Sequence, residues 1–226
     1  MFNKSKQKNT FGIIGLGRFG MALAYDLAKA GEDILVIDKD EDKVRTMREY
    51  TESAYIVHSL DKNTLTETGI HNCDVVVVCI GEQLDTSILT TLNLVSMGVK
   101  KVIAKATSPE HGEILQKLGA EIVYPEQDMA LRLSGMLKSS SVMDLVQLGE
   151  KINVSKIKAP SFITGKSVID VYFREKFSLN IIAIESNGDV TEIVRPDYTF
   201  KDNDILYLCG SADGLAQFIN WIDKNS

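Results

Sequence analysis

The sequence predicts an α/β protein in two parts: a doubly wound parallel sheet followed by a small α+β domain. Between residues 10 and 124, short apolar runs alternate with longer amphipathic segments, which is the pattern of a parallel sheet covered by helices. Beyond residue 150 the strand patterns become closely spaced, and Asn187 and Gly188 favour a hairpin turn. We expect domains over residues 8–126 and 150–226, joined by a helical segment over 127–149.

A glycine-rich loop follows the first predicted strand, residues 11–14. Gly15, Gly17 and Gly20 have the spacing G-x-G-x-x-G and are followed by a helical pattern. In this spacing the first glycine permits a tight turn, the second lets a pyrophosphate approach the backbone, and the third lets helix and strand pack closely. The second apolar strand ends at Asp38, where a carboxylate can accept hydrogen bonds from ribose hydroxyls and repel a 2′-phosphate. These features predict a Rossmann-type adenine nucleotide site.

The remaining elements of the first domain follow in order. Further strands are predicted over residues 55–57, 75–80, 102–104 and 122–124, and helices over 41–50, 61–69, 83–98 and 108–119. The run at 75–80 is continuously apolar, so we expect a central strand buried on both faces. Asp61 and Ser108 are expected to cap helices, with Pro109 in the first helical position and Gly69 just past a helix end.

The predicted helices and strands follow a different order in the second part of the chain. We expect a helix over 127–139, a break at Ser139, Ser140 and Ser141, and an apolar stretch over 142–148. Strand patterns then cover residues 152–157, 181–184, 190–194 and 205–208, and helical patterns cover 168–173 and 215–222. This arrangement is typical of a small α+β module.

Composition excludes several classes of protein. Hydrophobic residues make up 44% of the 226 residues and charged residues 25%, as in soluble globular proteins. The apolar run at 75–80 is too short to span a bilayer, and residues 1–10 lack the apolar region of a secretory signal. A net charge of −6 argues against a general nucleic-acid binder. Cys73, Cys79 and Cys209 form no C-x-x-C pair, which favours reduced thiols in a cytoplasmic protein.

Several segments resemble a known family. They are GLGRFG at 15–20, VID at 36–38, VVVVCIGE at 75–82, VIAKA at 102–106 and GAEIVYPEQDMA at 119–130. They stand in the order seen in RCK (TrkA N-terminal) domains, and residues 167–184 resemble the TrkA C-terminal domain. The resemblance covers the chain from residue 10 onward. It implies a cytoplasmic regulatory subunit of a bacterial potassium uptake system of the Ktr/Trk type, peripherally associated with the inner face of the cell membrane.

The resemblance also implies partners and ligands. Such proteins form homodimers that assemble into an octameric ring beneath a membrane potassium channel or transporter subunit. They bind ATP, ADP or NAD(H), and some bind cyclic di-AMP in the C-terminal domain. An independent reason to expect a homo-oligomer is an apolar series richer than one amphipathic face requires, namely Met129, Leu131, Leu133, Met136 and Leu137. The alternative is a helix buried within its own chain.

The four nucleotide positions already argued from chemistry, Gly15, Gly17, Gly20 and Asp38, match the family pattern. Arg18 lies inside the glycine loop, where a fixed cation can reach phosphate oxygens beyond the first two. The resemblance implies that Arg18 contacts the terminal phosphate of a neighbouring subunit's nucleotide.

Further candidates come from the same resemblance. Lys105 matches a phosphate-contacting lysine, and Gly81 stands where the backbone approaches the nucleotide. Phe19 and Lys39, which directly follow Arg18 and Asp38, complete this set of candidate cofactor-binding residues.

Glu126 is the candidate metal ligand. In the family a matching glutamate binds a divalent ion or Na⁺ between two subunits' nucleotides, so the resemblance implies Mg²⁺, Ca²⁺ or Na⁺ here. One carboxylate is not a metal site by itself, and phosphates would supply the other ligands. Taken from the residues alone, Glu126 is a carboxylate at a helix N-terminus, favoured by the helix dipole.

The chain departs from the family pattern in two places. The family commonly has G-D-x-T after the third strand, whereas residues 57–60 read Val-His-Ser-Leu. His58 and Ser59 are therefore candidates for contacts with the base, with a polar loop-edge histidine as the alternative. In the C-terminal domain a cyclic di-AMP pattern is matched by Val168, Ile169 and Arg174, but Tyr172 replaces a carboxylate.

The competing function is a small NAD-dependent oxidoreductase, which would need an acid or base within reach of a substrate carbonyl. All three histidines, His58, His71 and His111, fall in the nucleotide domain, and the second domain has none. We therefore expect no catalytic residues. A redox-sensing transcription factor would need a basic helix-turn-helix segment, which the sequence lacks.

Overall fold

The computed structural model describes residues 9–137, 142–148 and 152–225. The chain divides into two compact units after Glu126. The first contains a six-stranded parallel sheet and the second a five-stranded antiparallel sheet, so the predicted fold class is confirmed.

In the first unit, strands and helices alternate along the chain. The strands are β1 (Thr10–Ile14), β2 (Asp33–Asp38), β3 (Ala54–Ile56), β4 (Val75–Val78), β5 (Lys101–Lys105) and β6 (Glu121–Val123). The helices are α1 (Arg18–Lys29), α2 (Glu41–Met47), α3 (Lys62–Thr68), α4 (Leu84–Ser96) and α5 (Pro109–Lys117). The sheet order is β3-β2-β1-β4-β5-β6, so the order reverses between β1 and β4. Ligands of open α/β sheets bind at the carboxyl ends of the strands beside such a reversal.

Two apolar layers cover the faces of this sheet. One packs residues of β1 and β2 against α1 and α2, with Ala24, Val44 and Met47 fully buried. The other packs β4 and β5 against α3, α4 and α5 through residues such as Leu94 and Leu115. Burying each such side chain stabilises the fold by about 1.5–3 kcal/mol. As the continuous apolar run predicts, β4 is buried on both faces.

Helix ends in this unit follow the predicted capping residues. The Asp61 carboxylate accepts a hydrogen bond from Thr64 N–H at 3.0 Å, and the Ser108 hydroxyl oxygen accepts one from His111 N–H at 3.2 Å. Gly69 ends α3 in a left-handed conformation, φ 75°. Each of these caps satisfies a helix-terminal group that would otherwise lack an intrahelical partner.

The second unit has its own core. Its strands are β7 (Val142–Gln147), β8 (Asn153–Lys158), β9 (Leu179–Ser186), β10 (Asp189–Thr191) and β11 (Ile205–Gly210), in the order β10-β9-β11-β8-β7. Its helices are α6 (Pro125–Leu137), which begins just before the division, α7 (Val168–Val171), α8 (Phe173–Phe177) and α9 (Ala212–Asn225). An aromatic cluster fills the core, with Phe173 and Phe177 each 5.2 Å from the Phe218 ring.

Two sequence-based expectations were wrong. The connecting segment over 127–149 is not helical throughout, because its apolar residues at 142–147 form β7. This strand pairs antiparallel with β8, and its Val142 lies buried opposite Ile157. The helix expected over 168–173 is divided at Tyr172, which adopts a left-handed conformation with φ 57° and ψ 49°. The predicted serine break at 139–141 lies outside the described residues.

Asp204 secures the loop that precedes β11. Its carboxylate is fully buried, and Oδ2 accepts hydrogen bonds from the Tyr198 hydroxyl at 2.8 Å and from Lys201 N–H at 2.9 Å. We expect Asp204→Ala to lower the free energy of unfolding of the second unit by about 2–4 kcal/mol, because both donors lose a charged partner. Urea denaturation followed by Trp221 fluorescence measures this. Asp202→Ala, at an exposed neighbour, is the matched control, and an equal loss in both variants would contradict the assignment.

Candidate nucleotide-binding site

The glycine loop is built from close backbone contacts. Gly15 has φ 94°, a conformation that favours glycine, and its N–H donates to Ile37 O at 2.8 Å. A Cβ on Gly20 would lie 1.9 Å from the carbonyl oxygen of Gly15. Glycine at position 20 is therefore required by the packing of α1 on the loop.

Gly17 has a different explanation. Its backbone is extended, with φ −68° and ψ −173°, which any residue adopts. A Cβ there would meet no atom of the described residues within 4 Å. Neither conformation nor packing requires glycine at this position, and the space beside it leaves the N-terminus of α1 open to a ligand.

Asp38 stands at the carboxyl end of β2, beside this loop. Its Oδ2 accepts a hydrogen bond from Leu16 N–H, and its Oδ1 accepts one from Asp40 N–H at 2.9 Å. The two backbone donors hold the carboxylate in one orientation while each oxygen keeps a further lone pair for a ligand hydroxyl.

We expect Asp38→Ala to weaken adenine nucleotide binding by about 1.5–3 kcal/mol, the range for hydrogen bonds to a charged group. The ligand-free protein should also lose stability, because the variant frees the Leu16 and Asp40 N–H groups. Calorimetric titration and thermal denaturation measure the two effects. Asp42→Ala, at an exposed site on α2, serves as control; nucleotide affinity equal to wild type in Asp38→Ala would rule out the ribose role.

A charged cluster lies at the carboxyl end of β5. Lys105 Nζ is 2.5 Å from Glu126 Oε1, and it lies 3.4 Å from the position that a Cβ on Gly81 would occupy. The Lys105 hydrogen bond lowers the pKa of Glu126, and attraction from Arg18 contributes in the same direction. The structure thus brings together three predicted site residues, Gly81, Lys105 and Glu126, and the charge of Arg18 acts on the same carboxylate.

The ion pair between Lys105 and Glu126 is weak enough for a ligand phosphate to replace the carboxylate as the partner of Lys105. The Glu126 side chain is 62% exposed while that of Lys105 is 12% exposed, so solvent screens the pair and its contribution to stability is below about 1 kcal/mol. A phosphate arriving at Lys105 could replace the carboxylate at low cost. Glu126 would then be free to hold a cation that the phosphates also bind.

The cation would depend on those phosphates. Among the described residues, no three His, Cys, Asp or Glu side chains are grouped to hold a metal ion. Glu126 can therefore supply a single protein carboxylate, which suits a hard cation such as Mg²⁺ that binds one or two carboxylates together with phosphate oxygens.

The candidates for base contact follow β3 at the same carboxyl edge of the sheet, where Val57 N–H donates to Asp38 O at 2.9 Å. His58 is exposed and lines a 290 Å³ cavity with Tyr55, Thr64 and Glu67. The Ser59 hydroxyl donates to Asp61 Oδ2 at 2.6 Å, so it supports the cap of α3. Phe19 packs its ring against the α1–α2 layer, which leaves its backbone for any ligand contact, and Lys39 is exposed.

Family models match both parts of the chain. The TrkA-N domain model matches residues 11–125 and the TrkA-C domain model matches residues 155–223. The chain belongs to the family of TrkA-N/TrkA-C proteins. The resemblance drawn from the sequence is therefore confirmed.

Relatives extend over nearly the whole chain. It is 38% identical over 214 residues to Ktr system potassium uptake protein C of Bacillus subtilis (strain 168), covering 93% of this chain and 96% of that protein. It is 32% identical over 218 residues to Ktr system potassium uptake protein A of the same organism, covering 96% and 97%. Among solved structures, the RCK domain of GsuK has a TM-score of 0.64 at 18% identity, covering 96% of this chain and 48% of that one, which supports the fold.

In the TrkA-C domain, the three predicted cyclic di-AMP residues lie on α7 and α8. Val168 is half-buried in the core, whereas Ile169 and Arg174 are exposed. Ile169 N–H donates to Pro196 O at 3.0 Å, and the left-handed Tyr172 separates the two short helices. The structure therefore places two of the three side chains at the surface.

Two features of the TrkA-N site were missed in the sequence. Leu16 N–H anchors Asp38, and Thr107 lies beside Gly81, with its Cγ2 3.6 Å from the position of a Cβ on that glycine. The first is a backbone contact that carries no side-chain signal. The second could have been found from Lys105, because Thr107 follows it closely at the same strand end.

The part of the chain that the structure describes contains no helix long and apolar enough to cross a membrane.

Proposed function

We propose that this protein is the nucleotide-binding regulatory subunit of a potassium uptake channel or transporter, whose flux it controls through a ligand-dependent conformational change. The observation that carries this proposal is the alignment with potassium uptake proteins over more than nine-tenths of the chain. The protein would act in the cytoplasm, at the inner face of the membrane, in contact with a membrane subunit.

The ligand class follows from the site. Gly17 leaves room for a pyrophosphate, Asp38 presents a carboxylate for ribose hydroxyls, and Arg18 and Lys105 supply cations beyond the pyrophosphate. ATP, ADP and NAD(H) all fit this description, with Glu126 holding Mg²⁺, Ca²⁺ or Na⁺ against the phosphates. Calorimetric titration with each nucleotide, with and without Mg²⁺, tests the assignment; absence of binding by all of them would refute it.

A homo-oligomer is supported by α6, in which no side chain is buried. Met129, Leu131, Leu133 and Leu137 are between 50% and 77% exposed, so the alternative of a helix buried within its own chain does not describe these residues. Four large apolar side chains on one exposed helix mark an interaction surface. We propose homodimers that assemble into an octameric ring.

Light scattering at micromolar concentration with ATP should give the mass of eight 25.0 kDa chains. Leu133→Asp should reduce that mass, because a carboxylate cannot be buried unpaired in an apolar interface. Tyr50→Asp, on the surface near α2, is the matched control. A wild-type monomer under these conditions would overturn the oligomer.

A second ligand is proposed for the TrkA-C domain. Ile169 and Arg174 offer an exposed apolar side chain and a cation, which suit the base and phosphate of a cyclic dinucleotide. Titration of the full chain with cyclic di-AMP, compared with Arg174→Ala, tests this. Equal binding by the two proteins would exclude Arg174.

We further propose that the nucleotide is a signal and is not turned over. His111, in the first turn of α5, is only 3% exposed, and its Nδ1 lies 3.4 Å from Thr107 N, so this histidine is not presented to a substrate. Incubation with oxidised and reduced nicotinamide nucleotide tests the dehydrogenase alternative, which predicts turnover.

A further inference from the structure

A buried imidazole, that of His111, contacts the turn between β5 and α5. His111 lies in the first turn of α5 and is almost fully buried. Its Nδ1 is 3.4 Å from Thr107 N and 3.3 Å from Thr107 Oγ1. The Thr107 N–H donates to this nitrogen and the Thr107 hydroxyl lies within hydrogen-bond distance of it, so His111 holds the backbone and the side chain of Thr107 together.

These contacts define which nitrogen of the His111 imidazole carries the proton. A nitrogen that accepts from an N–H carries no proton, so the proton of neutral His111 resides on Nε2. That atom is buried and has no hydrogen-bond partner among the described residues. Burial also lowers the pKa of His111, which keeps the ring neutral and Nδ1 available as an acceptor. The Nε2–H of His111 therefore stays buried without a partner among the described residues, while Nδ1 accepts from Thr107 N–H.

The turn that His111 holds belongs to the nucleotide site. Thr107 Cγ2 and Lys105 Nζ lie 3.6 Å and 3.4 Å from the position of a Cβ on Gly81. The two residues thus flank Gly81 at the carboxyl ends of β4 and β5. A shift of the turn would move the Lys105 ammonium relative to any phosphate bound there.

The geometry points to His111 as a positioning residue for the nucleotide site: through Thr107 it sets the place of the Lys105 ammonium without touching the ligand. This inference rests on the proposed nucleotide-binding function. We expect His111 to affect the binding of the nucleotide's phosphates, which Lys105 is proposed to contact. The proposed ribose contact of Asp38 should be unchanged.

Two variants separate positioning from general packing. His111→Asn retains an acceptor at the δ position, whereas His111→Leu fills the same apolar space without one. We expect His111→Leu to bind ATP about tenfold more weakly than wild type, the equivalent of one lost hydrogen bond, and adenosine with unchanged affinity. His111→Asn should recover most of the ATP affinity. Equal losses for ATP and adenosine, or no rescue by asparagine, would overturn the inference.

Amide hydrogen exchange of the ligand-free full chain provides a readout that needs no nucleotide. The Thr107 amide should exchange about tenfold faster in His111→Leu and at the wild-type rate in His111→Asn. Unchanged exchange in His111→Leu would overturn the role of His111 in the turn. Failure of the wild-type protein to bind ATP would instead refute the proposed function, and with it the effect on affinity.

Discussion

Replacing Gly20 with alanine should destabilise the nucleotide-binding unit by about 3 kcal/mol and lower its melting temperature by about 10 °C or more. The added Cβ would lie 1.9 Å from Gly15 O, a backbone atom that cannot rotate away. Alanine gains about 1 kcal/mol over glycine in helix propensity, but the steric term is larger. Thermal denaturation of wild type and variant, both without ligand, measures the difference.

Gly17→Ala is the matched control, because within the part of the chain that the structure describes the same methyl group there meets no atom within 4 Å. Its stability should stay within about 1 kcal/mol of wild type, the cost of losing glycine at the helix N-cap. ATP affinity should nevertheless fall at least about a hundredfold, since the methyl group would occupy the proposed pyrophosphate position. A stable Gly20→Ala, or a Gly17→Ala that binds ATP normally, would contradict this account of the loop.

Arg18→Ala should remove the distinction between ATP and ADP. A ligand shifts a conformational equilibrium only by binding its two states differently. In the proposed site, Gly15, Gly17 and Asp38 would meet the parts that the two nucleotides share, so these contacts would not discriminate between ATP and ADP. Arg18 is exposed at the start of α1 and, after Lys105, its charge contributes to lowering the pKa of Glu126. We propose that Arg18 is the cation that meets the third phosphate.

The loss should appear in ATP affinity, which we expect to fall about 10- to 100-fold while ADP affinity changes little. Arg18→Lys keeps the charge but loses the bidentate geometry, so it should retain part of the preference. Arg45→Ala, an exposed arginine of α2, controls for net charge. If Arg18→Ala still distinguishes the two nucleotides as well as wild type, Arg18 is not the sensor.

The parallel sheet could be predicted because its signals are local. The apolar run of β4, the caps at Asp61 and Ser108, and the spacing of the glycines each act within a few residues. The same holds for the acid at position 38, since the strand that precedes it is read directly from the sequence. These local preferences are seen in the folded structure because tertiary packing favours the same helices, strands and turns.

The remaining features depend on contacts between distant residues. The apolar run at 142–147 fits a helix or a strand, and pairing with β8 decides it. No sequence pattern indicates that Tyr172 adopts a left-handed conformation, because non-glycine residues rarely do so. The link from His111 to Thr107 was likewise invisible, since the burial of an imidazole depends on what packs around it.

Potassium flux into liposomes tests the central claim most directly. The liposomes would contain the membrane subunit that copurifies with the protein. Three conditions are compared: wild-type protein, Gly17→Ala, and no regulatory protein. Each is measured once in ATP and once in ADP. The account predicts that flux with wild type differs between ATP and ADP, and that this difference vanishes with Gly17→Ala and without the protein. Flux that is the same with ATP and ADP in the presence of the wild-type protein would contradict a nucleotide-dependent regulatory role.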